Sequence, residues 1–114
     1  ITAAHVFLGG PLGIPELMAS QDLSETAAWV PYFCWHDGTV ALFVSGIALG
    51  YSAAKPGNRV LAVFATGLIL GIGLLGLGVA ALGNATLFST PAPYAFNVIG
   101  TVAMLGLFLD RRSA

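Results

Sequence analysis

A few ionisable side chains lie where the surrounding sequence is strongly apolar. His5 and Glu16 fall in the first apolar stretch, and His36 and Asp37 fall in the second, within "YFCWHDGTV". Imidazole can ligate a metal or haem, and it exchanges protons near neutral pH. Ionisable groups in membrane helices usually face a bundle interior and take part in function or in an ion pair. These four residues and Tyr32 are therefore the candidates for a polar cluster.

Three interpretations of this cluster compete. In the first, His36 and Asp37 form hydrogen bonds between helices, for example with Asn97, and fix the packing. In the second, His5 and His36 supply the two axial nitrogens of haem b, or bind a metal together with a carboxylate. In the third, His36, Asp37 and Glu16 form a proton relay or a substrate site. The cofactor is not identified by the sequence, and no catalytic residue is assigned.

The composition indicates an integral membrane protein. The 114 residues are 57% hydrophobic and 8% charged, with a mean hydropathy of +0.89, whereas soluble domains carry about 25% charged residues. No Asp, Glu, Lys or Arg occurs between positions 60 and 109, a run much longer than the ~20 residues that cross a bilayer once. Strand-like alternation is absent, so the expected fold is all-α. A net charge of −1 argues against a nucleic-acid partner.

Glycine, proline and charge divide the chain into four apolar segments, predicted as one transmembrane domain over residues 1–114. Asp22 and Glu25 have the spacing of a capping box before the second segment. Pro56 and Gly57 fit the centre of a type II turn. Thr90 before Pro91 resembles a helix N-cap followed by proline at the first helical position. The four helices are predicted at about 1–19, 26–54, 60–82 and 91–109.

The first segment is irregular because it carries Pro11 and Pro15 among several glycines. Proline removes a backbone donor and clashes with the preceding turn, so we expect this helix to kink or to end near Gly10. If it ends there, His5 and His36 lie at similar depths. A stripe containing Tyr32 and His36 then faces the kinked helix across a small pocket that opens outward.

The basic residues predict an orientation. Lys55 and Arg59 follow the second segment, and Arg111 and Arg112 follow the fourth, which places all four on one side of the membrane. The positive-inside rule assigns that side to the cytoplasm. Both termini are therefore predicted to be cytoplasmic, and the predicted location is a bacterial inner membrane.

Pairs of glycines four residues apart offer surfaces for close helix packing, which is what holds helices together in lipid. They specify neither an intramolecular nor an intermolecular partner. The predicted packing residues are Gly46, Gly50, Gly67 and Gly71.

These observations favour a non-enzymatic membrane protein, because the loops are too short for a soluble catalytic domain. The leading hypothesis is an accessory or assembly subunit of a larger membrane complex, or a homo-oligomer, whose partners are lipid and other membrane subunits or itself. The first alternative is a bundle that binds haem, a metal or a quinone through His5 and His36. The second is a small proton-coupled carrier, although the chain lacks the internal repeat of many transporters.

Overall fold

A computed structural model describes residues 2–55 and 58–110, and within these ranges the chain is helical almost throughout and contains no strand. The prediction of an all-α fold is confirmed. In chain order the elements are α1 (Thr2–Ala4), a π-helical stretch (His5–Gly9), α2 (Gly10–Ala19), α3 (Glu25–Ala54), α4 (Arg59–Leu82), a 3-10 helix (Ala85–Ser89) and α5 (Ala92–Asp110).

Three of these helices are long and apolar enough to cross a membrane, as a membrane protein requires. They are α3, α4 and α5, with 30, 24 and 19 residues. The sequence predicted four such helices, and residues 2–19 do not form one of them. Their helical winding is divided into three shorter elements, of which the longest, α2, has 10 residues.

The helix starts differ in detail from the prediction. Ser24, and not Asp22, caps α3: its hydroxyl oxygen accepts a hydrogen bond from the Ala27 N–H at 3.2 Å. A short side chain directly before the first helical residue reaches the orphan N–H groups of the first turn. Pro91 directly precedes α5, and its carbonyl oxygen accepts the first helical hydrogen bond, from the Ala95 N–H at 3.0 Å. Thr90 instead donates its hydroxyl back to the Leu87 carbonyl oxygen at 2.8 Å.

The N-terminal helical winding does not end at Gly10, as one form of the prediction had it. Gly10 has right-handed helical angles, and its N–H bonds to the carbonyl oxygen of His5, five residues earlier. Pro11 has no N–H to offer the Phe7 carbonyl oxygen, so the regular bond to the fourth preceding residue is lost there. The wider π-helical turn replaces it just before the proline.

Three of the predicted features lie outside the described residues. They are the start of the first segment at Ile1, the turn at Pro56–Gly57 and the basic pair Arg111–Arg112.

The chain groups into two compact units, Ile1–Val44 and Ser45–Ala114, and their boundary lies inside α3. Whether the whole chain forms the single predicted domain stays a prediction. Along α3, less exposed positions recur every three or four residues, at 28, 32, 35, 38, 42, 45, 48 and 52. One stripe of this helix is therefore covered, and the opposite face looks outward.

In the unit Ser45–Ala114, α4 packs against α5, with the 3-10 helix between them in sequence. The covered face is built mainly from small residues, which let two helix backbones approach closely. On α4 these buried residues are Ala62, Ala65, Thr66, Ile69, Gly73 and Ala80, and on α5 they are Pro93 and Gly100.

Candidate functional site

His5 is held against Trp35 in the unit Ile1–Val44. The two rings are stacked, with centroids 3.9 Å apart and planes 12° from parallel. Nε2 of His5 lies 3.3 Å from the carbonyl oxygen of Trp35. A carbonyl oxygen can only accept a hydrogen bond, so this contact requires the proton of the imidazole to be on Nε2. The Thr39 hydroxyl donates to the same oxygen at 3.2 Å.

Gly9 makes room for this contact, and Gly38 borders it at ordinary contact distance. A Cβ on Gly9 would lie 2.7 Å from Cη2 and 3.0 Å from Cζ2 of Trp35. A Cβ on Gly38 would lie 3.9 Å from Nε2 of His5. The indole therefore lies directly over the backbone at Gly9, at the end of the π-helical stretch. We call His5, Gly9, Trp35, Gly38 and Thr39 the Trp35 contact.

A second set of rings lies along α3. Tyr32 meets Trp29 edge-on at 5.3 Å between centroids, and it meets His36 edge-on at 4.6 Å. Spacings of three and four residues place these side chains on one helix stripe, as the sequence predicted. His36 therefore borders Tyr32, whereas His5 lies on the neighbouring Trp35.

The other candidates for the polar cluster are on the outside of the chain. His36, Asp37 and Glu16 are exposed, and Tyr32 is half-buried. Within residues 2–55 and 58–110, no hydrogen bond or ion pair involves His36, Asp37 or Glu16. The structure therefore does not assemble these three residues into a hydrogen-bonded relay.

The hydrogen bond at Nε2 of His5 decides which of its two ring nitrogens could ligate haem or a metal. Nε2 of His5 faces the Trp35 carbonyl oxygen, and the ring face is covered by the indole. Coordination through that nitrogen would require His5 to leave the Trp35 contact, whereas Nδ1 carries the lone pair that could ligate a metal while Nε2 donates to the carbonyl oxygen. In the described part of the chain, no group of three or more His, Cys, Asp or Glu side chains is placed to hold a metal ion. Ligation by His5 and His36 stays a hypothesis from the sequence.

The four glycines predicted as packing residues are open in this chain. Among the described residues, a Cβ at Gly46, Gly50, Gly67 or Gly71 would meet nothing within 4 Å. All four are exposed. Their GxxxG spacing therefore has no use within the described fold, and a role between chains stays a proposal.

Other glycines form the contact between α4 and α5. A Cβ on Gly100 would lie 2.5 Å from Cδ2 of Leu70 and 3.3 Å from its backbone nitrogen. A Cβ on Gly73 would lie 2.8 Å from the amide group of Asn97. That amide donates to the Pro93 carbonyl oxygen at 2.7 Å, so Asn97 is used inside its own unit. We call these residues the α4–α5 contact.

Charged and hydroxyl groups lie at the basic end of the same helix pair. The Arg59 guanidinium donates to the Leu107 carbonyl oxygen and lies 3.3 Å from a carboxylate oxygen of Asp110. The Thr66 side chain is only 3% exposed, and its hydroxyl has no hydrogen-bond partner among the described residues. The sequence analysis did not single out Thr66, because one threonine in an apolar helix carries no pattern.

Comparison with protein-family models, with curated proteins and with solved structures returned no match to this chain. The function therefore has to be argued from the chain's own residues. The sequence analysis did not single out Trp35, which holds His5 in the structure. A tryptophan within one turn of the outer end of a membrane span is also typical of an interfacial aromatic belt, so its position alone did not mark it.

Proposed function

We propose that this chain is a small accessory or assembly subunit of a larger membrane complex, or of a homo-oligomer. The observation that supports it is the outward face of α3, where His36 and Asp37 lie exposed, with no hydrogen bond or ion pair to another described residue, within a helix of membrane-spanning length. Such a face is poorly suited to lipid. A second membrane chain that covers it supplies the missing hydrogen bonds.

The depth of His36 and Asp37 in the membrane sets the free-energy cost of exposing their side chains to lipid. Twenty residues, about 30 Å of helix, counted back from Ala54 reach Trp35. His36 and Asp37 then lie within the outermost turn of the hydrocarbon region. An aspartate costs ~2.5–3.5 kcal/mol at a helix centre and less near the interface. The face is therefore tolerated in an isolated chain but is stabilised by a partner.

The rest of this face is apolar and includes a glycine that permits close approach. Phe33, Val40 and Phe43 are all at least 60% exposed. Gly50 follows one turn beyond Ile47 on the same side of α3. Small residues flanked by larger apolar ones form the usual contact surface between membrane helices.

The proposed topology has four membrane segments, with both termini in the cytoplasm of a bacterial inner membrane. Residues 2–19 form 18 residues of helical winding, about 27 Å at 1.5 Å per residue, which nearly matches the hydrocarbon thickness. Lys55 and Arg59 mark the cytoplasmic side. A green fluorescent protein fused after Ala114 should fluoresce, and alkaline phosphatase at the same place should be inactive. The opposite result would reverse the topology.

Cross-linking through single cysteines tests the proposed partner face. Cys34 is exposed and is the chain's one cysteine, so Cys34→Ala provides the background. Val40→Cys places a thiol on the outward face of α3. Val102→Cys on α5 is the control, because the two valines are similarly exposed, at 61% and 64%.

With a maleimide–benzophenone reagent, whose photoreactive end inserts into C–H bonds and needs no second thiol, Val40→Cys in intact membranes should give a covalent species above the 11.7 kDa chain, and Val102→Cys should not. A species of twice the chain's mass indicates a second copy, and any other mass indicates a different subunit. A lone monomer for both variants, in membranes and by native mass spectrometry, would contradict the proposal.

A further inference from the structure

A groove of about 280 Å³ lies between α4 and α5 at their basic end. It belongs wholly to the unit Ser45–Ala114 and has no part in the Trp35 contact or in the outward face of α3. Its lining is mostly apolar, with one cation and one hydroxyl-bearing side chain. The residues that line it are Arg59, Val63, Thr66, Gly67, Met104, Leu107 and Phe108.

Arg59 supplies the charge at the membrane-surface end of this groove. It is the first residue of α4, and its side chain is about one-third exposed. Its described ion-pair partner, Asp110, is 74% exposed. Ion pairs exposed in this way are weak and exchange readily with other anions. Its Nη2 also donates to the Leu107 carbonyl oxygen, so a phosphate that replaces Asp110 would be bound at the Nη1 side of the guanidinium.

Thr66 supplies a hydrogen-bond donor deeper in the groove. It follows Arg59 by seven residues, two helical turns, so the two lie on one stripe about 10 Å apart along the helix axis. Threonine in a helix commonly donates to the carbonyl oxygen four residues earlier. Here the hydroxyl is buried and has no such partner. A buried hydroxyl without a partner is unfavourable, and a ligand with an acceptor at that depth would satisfy it.

We infer that this groove binds an anionic glycerophospholipid, with the phosphate at Arg59, an ester carbonyl at Thr66 and an acyl chain along Val63, Met104 and Phe108. The groove presents a cation, then a hydrogen-bond donor, then an apolar wall. A glycerophospholipid carries its phosphate, ester carbonyl and acyl chain in the matching order. Basic sites between membrane helices bind anionic headgroups in this way. Gly67 leaves the chain room beside α4, since a Cβ there would meet nothing within 4 Å.

Binding is measured on the full-length, delipidated protein in detergent by native mass spectrometry. The probes are dioleoyl phosphatidylglycerol, which is anionic, and dioleoyl phosphatidylcholine, which is zwitterionic with the same chains. Phosphatidylglycerol should bind more tightly, by about fivefold, which corresponds to one cation near the headgroup. Arg59→Gln should remove this preference, and Arg59→Lys should keep most of it.

Lys55→Gln is the matched control, because Lys55 is a nearby cation that does not line the groove and lies over the Tyr51 ring. It should leave the preference unchanged. Equal binding of the two lipids by the unaltered protein would overturn the inference. An equal loss in Arg59→Gln and Lys55→Gln would also overturn it, because attraction would then be to surface charge in general.

Thr66→Val, which preserves the shape of the side chain, tests the deeper contact. It should weaken binding of the ester lipid by roughly threefold to tenfold, the value of one hydrogen bond. The ether-linked phosphatidylglycerol, which has no ester carbonyl, should bind the variant and the unaltered protein alike. Equal weakening for both lipids would overturn the role of Thr66.

A variant that misfolds would lose phosphatidylcholine binding as well. Specific loss of the anionic lipid, with helix content unchanged by circular dichroism, identifies the groove.

Asp110→Asn gives the reverse effect, because removing the competing carboxylate should raise the affinity for phosphatidylglycerol. Unchanged or lowered affinity in Asp110→Asn would count against phosphate binding at Arg59.

Discussion

The Trp35 contact and the α4–α5 contact both depend on a glycine, but the groups that pack against the two glycines differ in rigidity. In each, a glycine lets a larger side chain lie against a helix backbone. At Gly9 the neighbour is the far edge of the Trp35 ring, held by stacking on His5. At Gly100 the neighbour is Leu70, including its backbone nitrogen. A ring edge can tilt away from an added atom, whereas a helix backbone cannot move without shifting the whole helix.

The comparison teaches that the number of glycines is a poor guide to packing. Gly67 and Gly71 lie on α4 as Gly73 does, but only Gly73 touches a neighbour within its unit. The open glycines are the ones available to a partner chain.

Gly100→Ala should destabilise the α4–α5 contact most, by about 1–3 kcal/mol, because overpacking forces backbone shifts. The measurement is unfolding by SDS in dodecyl maltoside micelles, followed by circular dichroism. Gly106→Ala on the same helix is the control, since its Cβ would meet nothing within 4 Å among the described residues. It should be neutral or stabilising by up to about 1 kcal/mol. Equal stabilities for the two variants would refute the tight approach of Leu70.

Gly9→Ala should have a smaller effect on stability, about 1 kcal/mol, with a clear local signal. The added Cβ pushes the indole edge away and separates it from His5. In a Trp29→Phe background, the near-ultraviolet circular dichroism of Trp35 should weaken, because an asymmetric fixed environment is lost. Gly13→Ala, at an open position, should leave the signal intact. A signal that survives Gly9→Ala would show that Trp35 is not packed there.

Substitutions at His5 separate ring stacking from hydrogen bonding. His5→Phe retains a stacked ring but loses the donor to the Trp35 carbonyl oxygen, at a cost of about 0.5–1.5 kcal/mol. His5→Ala loses both, adding about 0.5–1.5 kcal/mol for the ring pair. Equal unfolding midpoints for His5→Phe and the unaltered protein would show that the 3.3 Å contact contributes nothing.

Gly67→Leu should have the smallest effect on the fold, within about 0.5 kcal/mol in unfolding by SDS, as for other exposed positions. If this face of α4 meets a partner chain, the same substitution should lower recovery of the cross-linked species formed from a cysteine at the neighbouring open position, Gly71→Cys, in the Cys34→Ala background. Gly78→Leu, also open within the chain, is the control. Loss of stability without loss of cross-linking would assign Gly67 to packing within the chain instead.

The helices of α3, α4 and α5 were predictable because each is a long apolar run, and backbone groups in lipid must bond within their own segment. Where the predicted and observed end of a helix differ, they differ by one residue. The N-terminal winding was less predictable. Pro11 predicts a break in the regular backbone hydrogen bonding. Whether the helix ends, bends or widens into a π-turn there depends on what packs beside it.

The contacts of the candidate site were only partly predictable. The ring series from Trp29 to His36 follows from helical spacing alone. The pairing of His5 with Trp35 does not, because His36 is the adjacent residue and a rotation of about 100° exchanges the two. The rotation of α3 about its own axis depends on which of its faces packs against the N-terminal winding. This is a property of the two elements together and cannot be read from either one alone.

The sequence by itself determined that this protein is helical and that α3, α4 and α5 suit a bilayer, since hydrophobic length and backbone hydrogen bonding are properties of each segment alone; it predicted residues 1–19 as a fourth such helix, which the structure divides into shorter elements. Only the tertiary structure decided that Gly73 and Gly100 pack while Gly67 and Gly71 remain open, and that His36 and Asp37 look outward. The physical reason is that close approach and exposure depend on the relative rotation and register of neighbouring helices, which small residues permit in many ways but do not specify.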